Sequence, residues 1–285
     1  MRLPASASEL TFDRNNVSLQ REFTTLARGE LKMINRSVAA RRPASPVGAA
    51  SRSGLDGRGL PTRGWLLLAA GTAGGLLFTG AYLAEGATRA GYRPLALPIS
   101  ALSLGPDGWV QQLNFIVFGL LVCVSAAGWR ALLAPGRGAV AFPVLHAVAG
   151  LGLVMDGLFD QDSSGGYPPG ARAGMPTVHG QVHTLFAMVT ITALAGGCFV
   201  LARRFAAEPA WRGWSVLAAA AGIATIVFIA AFGAGGGHGG LAGLWERAAG
   251  GATSALSLAV LARVAVTSRG VGKPGRAGGL AGGAP

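Results

Sequence analysis

"HGQVHTLFAMVTITALAGGCFVLA", residues His179–Ala202, opens with two histidines four residues apart and then runs on to Ala202 without a charge or a proline. About 20 apolar residues in a row are what a helix needs to cross the roughly 30 Å hydrocarbon core of a bilayer. This stretch therefore reads as a transmembrane helix, and it sets the reading of the rest of the chain. Comparable segments occupy Trp65–Ala84, Gln112–Leu133, Val140–Phe159, Trp214–Phe232 and Gly243–Val266. The composition agrees: 51% hydrophobic residues against 13% charged points away from a water-soluble globule.

Prolines and tryptophans mark the segment ends. A proline inside a helix removes a hydrogen bond that lipid cannot replace. Pro61, Pro94, Pro98, Pro106, Pro135, Pro168, Pro169, Pro176 and Pro209 all fall between segments, and Pro143 sits in a first turn. The six tryptophans lie at or beside segment ends, where an amphipathic indole prefers the headgroup region. The expected fold class is all-α: an integral membrane bundle of six transmembrane helices.

Orientation follows from the basic residues. Of the 24 lysines and arginines, 20 fall on one side: eleven before the first span, Arg130 and Arg137, Arg203, Arg204 and Arg212, and Arg263, Arg269, Lys273 and Arg276. By the positive-inside rule both termini are expected to be cytoplasmic. The net charge of +12 is thus a topology signal and names no nucleic-acid partner, because it is divided among membrane-flanking connections. The expected partner is the lipid bilayer. Residues 1–62 read as a disordered, basic cytoplasmic tail, rich in Arg, Ser, Ala, Pro and Gly with no apolar run. Met33 is an alternative start within it, and no cleaved signal peptide is expected. Residues 63–268 form the six-helix domain, and 269–285 a flexible Gly/Ala-rich tail. Cys123 and Cys198 both fall inside spans and read as small apolar packers.

The ionisable groups cluster at the extracytoplasmic ends of the spans. Asp156 and Asp160 close the third, and His179 and His183 open the fourth. Each pair is four residues apart, hence on one helical face, and the loop from Gln161 to Val178 makes the two helices antiparallel neighbours. Two carboxylates and two imidazoles at one depth are a donor set for zinc or another divalent transition metal. Gly180 and Gln181 stand where an HExxH motif would place glutamate, so a zincin is excluded. The plainer reading has Thr177 capping the helix, with the histidines in the headgroup zone and the aspartates on Arg172 or water. A protonation-linked role is the third.

Residues Tyr92–Phe115, "YRPLALPISALSLGPDGWVQQLNF", are apolar but interrupted by Pro94, Pro98 and Pro106. They read as an outer loop with a short interfacial helix or re-entrant turn that brings Ser100, Asp107 and Asn114 to the same face. Taken with "GLFDQDSSGGYPPG" and "PTVHGQVHTLFA", this stretch resembles the multi-pass membrane family called domain of unknown function 998, over about Trp65 to Val266. The resemblance implies a six-helix membrane domain and no established activity. Ser100, Asp156 or Asp160, and His179 with His183 are also similar, as an inventory, to membrane hydrolases of the alkaline ceramidase and progestin-receptor-like superfamily. That analogy would make Ser100 and Asp156 catalytic, His238 a third zinc ligand and a lipid-like small molecule the substrate; residue order and helix count depart from the pattern. Three functional classes follow: a structural or regulatory membrane protein, an outward-facing metal-dependent lipid hydrolase, and a small-solute or proton-coupled transporter. The last should carry ionisable residues near the bilayer midplane or helices broken there, and the sequence shows neither.

The division of basic residues makes a direct prediction. A reporter active only outside the cytoplasm should work when inserted near Ser164 and fail when fused after Arg269; the reverse pattern would invert the orientation.

Overall fold

The computed structural model describes residues 55, 57, 59–163, 165–171, 174–235 and 240–269. Arg172, Ser164, His238 and both tails beyond these limits lie outside the described residues. Among the described residues the regular structure is helical: α1 (Thr62–Thr88), α2 (Gly108–Leu133), α3 (Ala141–Leu158), α4 (Val178–Ala206), α5 (Arg212–Ala234) and α6 (Ala242–Arg269). Single 3-10 turns occur at Ile99–Ser103 and Pro209–Trp211. All six helices are long and apolar enough to cross a membrane, so the expected fold class stands. Most extend past the apolar runs that announce them. α2 begins at Gly108, four residues before the expected Gln112, so that Gln111 is helical too and, with Asn114, belongs to the bundle.

Each helix packs on its neighbours in sequence, and α6 also touches α1 and α4. Two surfaces are the signature of lipid as solvent. Leu66, Leu76, Leu77 and Leu83 on α1, and Val216, Leu217, Ile223 and Val227 on α5, are each at least 55% exposed. In water, rows of exposed leucine and valine on this scale mark an interaction surface. On helices that could each span a bilayer they are the faces turned to hydrocarbon.

The interior is divided by depth. At the arginine-rich end a continuous apolar core joins Leu68, Trp129, Phe142, Leu201, Phe205 and Val260. Trp129 and Trp211, expected at the headgroup boundary, are 2% and 3% exposed. They point inward because Trp129 packs edge-on to Phe142 at 4.8 Å and Trp211 stacks on Phe205 at 4.9 Å. At the opposite end the core is thinner, built on Ile99, Phe115, Val122 and Leu153, and polar side chains fill what remains.

One feature alters the expected boundary at residue 62. Leu55 is fully buried within the arginine-rich core, and Gly57 lies against Val264 and Trp65. Packing therefore reaches back at least to Leu55. Deleting residues 1–52 should leave detergent stability unchanged, whereas Leu55→Ala should lower it by about 2 kcal/mol or more, the usual cost of emptying a buried leucine site. A thermal melt of the purified protein reads both; equal stability of Leu55→Ala and the parent would show that this residue does not pack on the bundle.

Candidate functional site

The prolines of the α1–α2 connection keep it out of regular helix, and the structure folds it inward as a plug. Ile99, Ser100, Ala101, Leu102 and Ser103 are all buried, at 7% exposure or less. Irregular backbone at this depth must find its hydrogen bonds within the protein, and α6 supplies several of the partners. Glu246 Oε2 accepts from Ile99 N at 2.5 Å. Arg247 Nη1 donates to Leu97 O at 3.2 Å, and Leu244 N donates to Leu95 O at 3.1 Å. Arg247 Nη2 donates to the Tyr92 hydroxyl at 2.6 Å, which in turn donates to Pro98 O at 2.9 Å. From α1, Arg89 pairs with Glu85 at 3.4 Å and donates to the Asp107 carbonyl.

Of the four metal candidates the structure brings two together. Asp156 Oδ1 lies 3.9 Å from His183 Nδ1, and both side chains are buried. That distance is too long for a hydrogen bond. His183 Nδ1 instead donates to Phe159 O at 2.9 Å, which fixes the neutral tautomer with Nε2 as acceptor. Asp156 Oδ1 is left with no hydrogen-bond partner.

The other two candidates turn elsewhere. Asp160 lies past the end of α3, so helical spacing no longer places it beside Asp156; its Oδ1 accepts from Gln112 Nε2 at 2.6 Å. His179 sits in the first turn of α4, beyond the end of α3, where it is exposed and meets the edge of Phe159 at 5.2 Å. The expected four-residue shell of Asp156, Asp160, His179 and His183 is not formed, and among the described residues no group of three or more His, Cys, Asp and Glu is placed to hold a metal ion. Thr177 does cap α4, accepting from Gly180 N at 3.0 Å. Asp162 takes the Thr177 hydroxyl at 2.7 Å. An added Cβ at Gly180 would meet Asp162 Oδ2 at 2.1 Å, the physical reason that glutamate has no place in "HGQVH".

Ser100, the candidate nucleophile, donates its hydroxyl to Gln161 Oε1 at 2.5 Å. An amide oxygen is no general base, so this contact positions the plug without activating the serine.

Glu246, which the sequence places among the ionisable groups at the outer end of the sixth span, has a part there that spacing did not give: it holds Ile99 N, and its charge acts on Asp156. Sequence reasoning missed two participants outright. Gln111 is fully buried, with its Nε2 unpartnered. Gln161 holds Ser100. The adjacent Glu246–Arg247 pair at the mouth of an apolar segment was the available signal, since charges there demand partners; the two glutamines carried none.

Six helices long and apolar enough to cross a bilayer define a multi-pass membrane protein. A family model described as "Protein of unknown function (DUF998)" matches residues 49–263, and the chain belongs to that family. No curated protein and no solved structure matches it.

Burial pushes the Tyr92 phenol up to about 12, against the opposing pull of Arg247. Between pH 10 and about 12 the folded protein keeps a proton that the unfolded chain has lost, so stability falls as pH rises through that window. Thermal melts from pH 9 to 12 should show this loss, and Tyr92→Phe should flatten it. A slope unchanged in Tyr92→Phe would assign the alkaline transition to another group.

Proposed function

We propose that this protein is a proton-responsive membrane protein of the transport class, and that Asp156 is the group that takes and gives the proton. Its six-helix domain sits in the cell membrane with both termini in the cytoplasm and the plug facing outward. The observation that carries this reading is a buried Asp156 oxygen with neither a cationic partner nor a hydrogen bond. A carboxylate left so in a membrane bundle costs several kcal/mol while ionised, and taking up a proton removes that cost. The division of arginines and lysines supports the orientation. The hydrolase reading receives less support, because Ser100 lacks a base and the zinc shell is not assembled.

The pocket also suggests how a proton is read out. Two titratable groups act on Asp156, His183 on α4 and Glu246 on α6, while Asp160, just past α3, is held by Gln112. Glu246 is at the same time the acceptor that holds the plug at Ile99 N. While Asp156 is ionised, the two carboxylates repel each other in a poorly screened site. Protonation of Asp156 relieves that repulsion and leaves Glu246 on the plug.

In a Ser100→Cys background with Cys123 and Cys198 replaced by alanine, thiol labelling by a water-soluble reagent, expressed at each pH relative to the unfolded chain so that the common rise in thiolate cancels, should therefore quicken as pH rises. Adding Asp156→Asn, which is neutral at every pH, should hold this relative rate low throughout. A relative rate that keeps its pH dependence once Asp156→Asn is added would reject Asp156 as the responsive group.

A further inference from the structure

We propose that the interior between α3, α4 and α6 continues from Asp156 as a proton route toward the arginine-rich end, with His146 as its far station. The proposal deepens the reading of Asp156 as a proton-binding group and rests on it. Its basis is the repetition of polar groups along the facing sides of three helices, at matching depths.

The first layer is Asp156, His183 and Glu246. Two helical turns further in, about 10 Å along the axis, α4 presents Thr190 and α6 presents Thr253. Both threonines are buried. Thr190 Oγ1 has no hydrogen-bond partner, although a threonine in a helix ordinarily bonds its own backbone, as Thr225 does to Ala221 O at 2.8 Å. It faces α3 at Gly152, where an added Cβ would come within 2.1 Å of the hydroxyl oxygen. The glycine thus makes room for a polar atom near the middle of α4.

The third layer is a cavity of about 20 Å³ whose lining includes His146, Cys198, Thr253 and Ser257. The lining is otherwise apolar, but the volume suits one water molecule, for which His146, Thr253 and Ser257 supply the polar partners. His146 lies ten residues before Asp156 on α3, about 15 Å along the axis. Its Nε2 is 2.9 Å from Ser125 Oγ. The serine hydroxyl already donates to Val122 O at 2.8 Å, so the imidazole must donate through Nε2 and keeps Nδ1 to accept a proton. Phe142, stacked on His146 at 5.4 Å, and Trp129 beyond it form the wall toward the arginine-rich end. A proton enters at Asp156, passes by water and the Thr190 hydroxyl to His146 Nδ1, and is released from His146 to water at the arginine-rich end beyond that aromatic wall. Each crossing moves one positive charge, so another cation must cross in the opposite sense.

The test is proton flux into vesicles that carry the purified full chain and a pH-sensitive dye, with potassium and valinomycin supplying the counter-charge. After an external pH step the initial dye response should exceed that of protein-free vesicles at least tenfold. Thr190→Val, which removes the hydroxyl at constant shape, and His146→Phe should each lower it at least tenfold, while Thr190→Ser should restore it. A wild-type rate equal to that of empty vesicles, or a Thr190→Val rate equal to wild type, overturns the route. If His146→Phe fails to fold, the valine and serine variants at Thr190 decide alone. Should flux be absent while thiol labelling at position 100 still depends on Asp156, the route falls and the site reading stands. Should flux depend on Thr190 while labelling ignores Asp156, the site reading falls instead.

Discussion

Hydrocarbon offers no hydrogen bonds, and most features of this chain answer to that constraint. Six helices satisfy their own main chains and turn leucine and valine outward on α1 and α5. The plug is the exception: five residues in a 3-10 turn, bounded by extended backbone and prolines, buried at the end of the bundle. It is tolerated because side chains replace the solvent. Glu246, Arg247, Tyr92 and Arg89 supply hydrogen bonds that water would supply in an ordinary loop. Four polar or charged residues in apolar surroundings are thus explained by the backbone they serve.

Asp156 is different, because no such service accounts for it. Its oxygen Oδ1 meets no donor, and the nearest imidazole gives its proton to a main-chain carbonyl. The two carboxylates Asp156 and Glu246 sit on different helices, α3 and α6, and of the two only Glu246 is tied to the plug. In the proposed reading a charge change at the first is transmitted through the second to the plug, an arrangement of two sites coupled by one shared electrostatic contact. The α6 helix is suited to the part, since it packs extensively on α5 and touches α1 and α4 far less.

The spans were legible because apolar length, proline exclusion and tryptophan placement are properties of single segments. Thr177 as a cap was legible for the same reason: a hydroxyl three residues before a free amide is a local pattern. The pocket was legible only in part. Helical spacing placed Asp156 with Asp160 and His179 with His183, but α3 ends at Leu158 and α4 begins before His179. One member of each pair therefore falls outside the packed region. Where a helix ends relative to its neighbour is a property of the pair, which spacing along one strand of sequence does not carry. The inward turn of Trp129 and the approach of Glu246 were hidden likewise, because a residue's depth is visible along the chain while the direction it faces depends on the other helices.

The central claim, that Asp156 is a buried carboxyl group that changes its protonation state, is open to infrared difference spectroscopy of the protein in lipid between acidic and alkaline buffer. The expected result is a carboxylic acid carbonyl band that appears on acidification, moves in deuterated buffer and is absent from Asp156→Asn. A difference spectrum without such a band, or one that survives unchanged in Asp156→Asn, would contradict it.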